Sequence, residues 1–302
     1  MQSLYAMHQN NSSDLIKEEK FLLQSIENVN ILYLTVLSAL IEIKNYEEEF
    51  IEKSKRKHLA TLEELNPNTK FINNAILLLL SESNAISMAL ADYKINNWKL
   101  NDDCIIVLVN EIKKSEIYQN YMNDKEHTFE KDKEFIIELF AQVIAPNERF
   151  YNYLEEHKLT WTDDIALINT QVLKQLRDID TNDKEFQLMK LYKNNDDKEF
   201  VRQIFRKTLL KDNELSKEYA DKALNWDKER ISDIDNIILK MAVCEFLHFP
   251  SIPFNATINE YLEITKEYST PRSCIFINGI LNVLSKTYQE NNTKLKMGRG
   301  LL

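Results

Sequence analysis

The sequence predicts an all-α protein, and three observations carry the prediction. The chain has 302 residues but only 3 glycines, against an average share of roughly 7%, and Gly279 is the only one ahead of Gly298 and Gly300. Apolar residues recur every three or four positions along most of the chain. The segments between these stripes are clusters of Asn, Asp and Ser, helped by the five prolines. The glycine shortage excludes dinucleotide-binding and phosphate-loop folds, whose turns need several glycines. It also excludes propellers, sandwiches and hairpin-rich sheets, which need glycine where φ is positive.

The elements follow in order. Leu4, Met7 and His8 start a short amphipathic helix that ends in the polar loop Asn10–Ser13. Leu15 to Ile26 reads as a second helix. Residues 28 to about 60 form a third, with the stripe Ile31, Leu34, Leu37, Leu40 and Ile41 leading into a charged end. There Glu47–Glu49 precede Lys53, Lys55, Arg56 and Lys57, a solvated face matched to the helix dipole. Asn66-Pro67 stops it, because the residue before proline resists the α region. Further helices are expected near 70–93, 102–122, 131–145 and 147–157. Thr162-Asp163-Asp164 opens one to about 177, with acids at the positive end of its dipole. Asp196-Asp197 starts the next, carrying Phe200, Ile204, Phe205 and Leu209, and a piece at about 214–225 ends at Trp226. Ser232 with Asp235 is a cap signature. Pro250 and Pro253 force an extended link, after which Asn255 or Thr257 caps a helix, with Glu260 completing a capping box. Thr270-Pro271 caps the last helix, with proline at its first position, and that helix runs to about Lys286.

Composition narrows the class. Hydrophobic content of 44% with 28% charged residues suits a folded domain. The longest uncharged run, Asn28–Ile41, is 14 residues, below the length of a membrane span, and no basic residue precedes Lys17, so neither a membrane segment nor a signal peptide is expected. Cys104, Cys244 and Cys274 are odd in number and far apart, as expected of free thiols in a reducing cytosol. The net charge is −10. Residues 231–302 hold seven bases and seven acids, so the acidic excess lies upstream.

The stretches Ile252-Pro253-Phe254-Asn255-Ala256-Thr257-Ile258-Asn259-Glu260 and Phe276-Ile277-Asn278-Gly279-Ile280-Leu281 carry a resemblance to the NusB family of transcription antitermination factors. Trp226, Arg230, Ile238-Leu239-Lys240-Met241-Ala242 and Glu245 resemble the segment before them, and Gln2-Ser3-Leu4-Tyr5-Ala6 resembles the family's first helix. The resemblance implies a NusB-like helical bundle core in residues 1–24 and 196–288, a large all-helical insertion in 25–195 and a flexible basic tail in 289–302. The insertion is similar to that of enlarged members, with Lys55-Arg56-Lys57-His58 and Leu65-Asn66-Pro67-Asn68-Thr69 as matching phrases.

The implied function is non-enzymatic. Family members pair with NusE, a small-subunit ribosomal protein, bind boxA RNA of ribosomal RNA transcripts, and join an RNA polymerase antitermination complex. Tyr5 and Phe276 match residues on the RNA-facing surface, and the resemblance places Arg272, Ser273 and Ile275, just before the latter, at the same RNA-binding surface. The resemblance departs at two points: the family's arginine-rich segment ahead of the first helix has no counterpart in this sequence, and Ile275 stands where many members have a polar or basic residue.

Chemistry other than binding finds little support. His8, His58, His127, His157 and His248 lie far apart with no H-E-x-x-H spacing, so no metal, cofactor or catalytic residue is expected. A cytoplasmic adaptor is the expected class; a helical protein-interaction or ribosome-assembly factor with little RNA contact is the alternative. Arg202 and Arg206 could form a basic ridge, with Asp197 and Glu199 close by, and the tail bases Lys294, Lys296 and Arg299 could add weak phosphate contacts. Gly279 shares a helical face with Phe276, Ile280 and Val283, which predicts a second helix crossing at close range.

Overall fold

The computed structural model describes residues 1–222 and 231–290, all helix and connections. In chain order the α-helices are α1 (Gln2–Gln9), α2 (Leu15–Lys55), α3 (Leu62–Leu65), α4 (Ala75–Glu82), α5 (Asn84–Asp92), α6 (Asn97–Leu100), α7 (Asp102–Lys114), α8 (Glu116–Asn123), α9 (Phe129–Leu139), α10 (Glu148–His157), α11 (Ile165–Asp178), α12 (Asn195–Leu210), α13 (Asp212–Ala220), α14 (Asp233–His248), α15 (Phe254–Tyr268) and α16 (Pro271–Glu290). No strand occurs among the described residues. Expectations resting on Trp226, Arg230 and the tail bases with Gly298 and Gly300 fall outside them. The chain divides into two compact units, one of residues 1–23 with 192–302 and one of residues 24–191.

The second unit is built on the part of α2 from Gln24 onward, α2 being a single helix of 41 residues where two were expected. Nothing in Glu27-Asn28-Val29-Asn30 breaks a helix, so the turn expected there does not form. Between Leu32 and Leu40 every apolar residue is at most 1% exposed, as suits a helix enclosed by others on all sides. An 18-residue window of α2 has a mean hydropathy of 1.5, long and apolar enough to cross a membrane by length and composition, and 56% of it is buried. This corrects the sequence expectation that no segment is sufficient. At its charged end Lys53 pairs with Glu49, Lys55 and Arg56 with Glu52, and Lys57 with Glu64.

Two expected helices are each split by a serine. Ser83 ends α4, and its hydroxyl caps α5 at Ile86 N (3.3 Å) while donating to Glu185. Ser115 does the same between α7 and α8, accepting from Tyr118 N at 3.2 Å. α9 widens into a π-helical turn at Phe140–Ile144, where Ala145 N–H donates to Phe140 O at 2.9 Å. Pro146 follows and supplies no N–H. α11 starts at Ile165, with Asp164 before it and no side-chain cap, so the Thr162-Asp163-Asp164 cap is not formed. Asp132, 2% exposed, accepts from Tyr121 Oη (2.7 Å) and Ala75 N (2.8 Å) and lies 3.2 Å from His127 Nε2.

In the first unit α14 is the enclosed helix. Leu239, Ala242, Val243 and Cys244 are 0% exposed, and α1, α12, α13, α15 and α16 pack around it. Ile277, Leu281 and Leu284 of α16 face it at 0–1% exposure, and Phe246 meets Phe254 edge-on at 4.9 Å. Buried Glu245 accepts from Thr257 Oγ1 (2.6 Å) and Tyr261 Oη (3.3 Å). Thr257 is therefore no cap: α15 begins three residues earlier, at Phe254, and the hydroxyl is turned inward to α14. The close approach at Gly279 is also corrected. Gly279 is exposed, and a Cβ added there would meet nothing within 4 Å. Phe276 and Ile280 point to the core, but Val283 is 49% exposed, so the supposed common face straddles the solvent boundary.

Candidate nucleic-acid interface

One end of the first unit collects most of the residues singled out from sequence. Ser232 caps α14, accepting from Asp235 N at 3.1 Å. In a reciprocal cap the third-position acid would turn back to the cap's own N–H. Asp235 instead is 4% exposed and accepts from Ser269 Oγ at 2.6 Å and Ser273 Oγ at 2.7 Å. Ser269 follows α15 and Ser273 lies in the first turn of α16, which Thr270 caps by accepting from Ser273 N at 3.1 Å. One buried carboxylate thus ties two helix starts and one helix end together.

Helix α1 joins the same end. Gln9 Nε2 donates to Asp233 Oδ2 at 2.9 Å, His8 Nε2 lies 3.6 Å from Asp233 Oδ1, and Gln2 Nε2 donates to Tyr268 Oη at 3.3 Å. Leu4 and Met7 anchor it in the core. Helix N-termini carry positive partial charge; that of α14 has Asp233 and Asp235 in its first turn, whereas the first turn of α16 holds no acid, so the start of α16 is the one that favours an anion.

The four sequence-predicted residues fare differently. Tyr5 is half-buried on α1, packed against the core beside Leu4. Arg272, the second residue of α16, is exposed and forms no ion pair among the described residues. Positive charge at a helix N-terminus opposes the dipole, so its position is favourable only with an anion nearby. Ser273 has its hydroxyl committed to Asp235 and to Thr270 Oγ1 at 3.0 Å; it organises the helix start. Phe276 is 5% exposed within the core, so its ring offers no face for stacking and its part is to hold α16 down. Ile275, beside it, is 67% exposed.

Sequence reasoning missed Asp235 as a hub. Its only signal was the pair of serines four apart around Thr270-Pro271, which says nothing about a carboxylate 34 residues upstream. Among the described residues no group of three or more His, Cys, Asp or Glu side chains converges to hold a metal ion. Burial pushes the Cys104 and Cys244 thiols up to about 11, which leaves both protonated at neutral pH.

With this geometry in hand, the comparisons with known proteins point in one direction. Residues 166–286 match the profile of the NusB family. Three curated relatives carry the description transcription antitermination protein NusB. That of Salinibacter ruber is 36% identical over 105 residues, covering 35% of this chain and 66% of the relative. That of Chloroherpeton thalassium is 32% identical over 105 residues, covering 35% and 50%. That of Thermodesulfovibrio yellowstonii is 42% identical over 96 residues, covering 31% and 62%. The chain therefore spans between half and just under two thirds of these relatives' lengths. No solved structure matches.

Proposed function

We propose, from the match of residues 166–286 to the NusB family, that the chain is a cytoplasmic transcription antitermination factor. It binds boxA RNA of ribosomal RNA transcripts together with a NusE-type ribosomal protein of the small subunit, as part of an RNA polymerase antitermination complex. It performs no catalysis. Residues 1–24 and 196–288 form the binding core, and residues 25–195 are an insertion.

The observation that supports this reading best is the end of the core where Asp235 joins the starts of α14 and α16. Arg272 stands there unpaired, at the start of α16, which favours an anion. Arg272 contacts phosphate and Tyr5 offers its ring edge or face to a base. Ser273 and Phe276 keep α16 in position beneath them. An acidic protein also attracts a basic ribosomal partner, which speeds encounter more than it raises affinity.

Titrating labelled boxA RNA with the purified chain, with and without the ribosomal protein, tests the proposal. Addition of the partner is expected to raise RNA affinity, and Arg272→Gln to lower it. No gain on adding the partner overturns the proposal. A protein-interaction factor with little RNA contact is favoured by one observation, the acidic excess of residues 24–191. Tight binding of the ribosomal protein with no RNA affinity in either titration would select it.

A further inference from the structure

The basic row on α12 is a motif that the surface at the starts of α14 and α16 leaves unused. Lys198, Arg202 and Arg206 recur every four residues, so they share one helical face over about 12 Å. The acids nearest in sequence do not neutralise them. Asp197 accepts the backbone N–H of Lys193 at 2.8 Å, and Glu199 accepts from Gln203 Nε2 at 2.9 Å on the neighbouring row.

What the row meets instead is Glu19, at the start of α2 and 7% exposed. Arg206 Nε lies 2.5 Å from Glu19 Oε2, and Arg202 Nε lies 3.7 Å from Oε1. Both arginines therefore present the Nε side to a single carboxylate, and their Nη groups make no hydrogen bond or ion pair among the described residues. Their side chains are 51% and 42% exposed. Lys198 is exposed and also unpaired. Two of the three cations thus share one buried anion, Arg206 by a hydrogen bond and Arg202 at ion-pair distance, with their outer donors open. Guanidinium groups fixed in this way lose little freedom on meeting a phosphate, which their paired donors suit.

We propose that Lys198, Arg202 and Arg206 form a second phosphate track, which grips the backbone of single-stranded RNA away from the starts of α14 and α16. The proposal rests on the RNA-binding reading above and extends it. The track carries no base specificity, because phosphate contacts position a strand without reading its sequence. It supplies electrostatic affinity that the exposed end of α16, with one arginine, provides only in part.

The test is the salt dependence of boxA RNA binding by the full chain with its ribosomal partner. Each phosphate contact on a single strand contributes about 0.7 to the slope of log affinity against log salt. Arg202→Gln with Arg206→Gln is expected to lower that slope by about 1.4. The corresponding double lysine variant keeps the charge and is expected to keep the slope. Lys198→Gln breaks no internal pair, so its expected loss of about 0.7 cannot come from the fold. An unchanged slope in both glutamine variants overturns this proposal alone, as does a loss of affinity with the slope intact. A wild-type chain that binds no RNA overturns the RNA-binding reading and this track with it.

Discussion

Residues 24–191 carry 19 Lys and Arg against 29 Asp and Glu, whereas residues 1–23 with 192–302 carry 19 of each. The whole net charge of −10 thus belongs to one compact unit, a narrower assignment than residues 1–230. Inside, the two units are built alike. Each wraps its helices around one enclosed helix, the middle of α2 or the length of α14. Each also joins helix ends through a buried carboxylate, Asp132 with Tyr121 and Ala75 or Asp235 with Ser269 and Ser273. The difference lies at the surface. Packing alone does not dictate net charge, so the outer faces are free to differ by partner: a neutral unit can approach an anionic polymer, and a strongly acidic one repels it.

Substitutions placed in pairs can break or sharpen this comparison. The largest effect is expected from truncating the two cores. Trp161→Ala in one unit and Phe246→Ala in the other, 0% and 1% exposed, should each cost about 3–5 kcal/mol. Calorimetry should show each lowering a different transition, and only Phe246→Ala should weaken RNA binding. Equal lowering of both transitions by either variant would contradict two separate cores.

Next come the carboxylates. Asp132→Ala and Asp235→Ala each remove hydrogen bonds to a charged acceptor, at about 1.5–3 kcal/mol apiece. Asp132→Ala should cost more, because it removes the acceptor of the Ala75 N–H and leaves the Tyr121 hydroxyl only the 3.5 Å contact to Lys70 O. Denaturant midpoints of the two variants provide the measurement, and a cheaper Asp132→Ala would mean that water replaces the lost acceptor.

A smaller change, of opposite sign, is expected at Gly279. With open space at its Cβ position, Gly279→Ala should stabilise the first unit by about 0.5–1 kcal/mol. A lower melting temperature would restore the close-approach reading.

His157 should give the smallest effect. Its ring stacks on Tyr153 and Trp161, with centroids 5.4 and 5.1 Å away, and burial, helped by Lys158, holds its pKa below the ordinary 6.5. The unfolded chain then takes up the proton first. Stability from this group is full above about pH 6.5 and declines as the pH falls below it. The transition of the acidic unit should fall on acidification through that range, and His157→Phe should flatten the decline. An unaltered pH profile would show that the histidine is not the group responsible.

Legibility from sequence followed the range of the interaction. The caps at Ser232 and at Thr270-Pro271 were readable because donor and acceptor sit three residues apart. The Thr257 hydroxyl had the same local signature, yet Glu245 of another helix claimed it. Asp235 was half read for the same reason: its backbone role is local and its side-chain role is tertiary. Arg202 and Arg206 were visible as a pair, but their counter-charge, Glu19, lies more than 180 residues upstream. For Gly279 the helical face was identified and its direction was not, because periodicity gives spacing and leaves open where the solvent boundary falls.

The first unit is assembled from two stretches of chain with the whole of the second unit between them. On a ribosome adding 5–20 residues per second, α1 would emerge roughly ten to forty seconds before the first residue of α12. Residues 24–191 have every contact of their own core available by then and can fold in the order they are made. Leu4 and Met7, with α14 not yet synthesised, must wait uncovered. The birth order of the two units is therefore set by where one interrupts the other, and the part proposed to read RNA is the last to be completed.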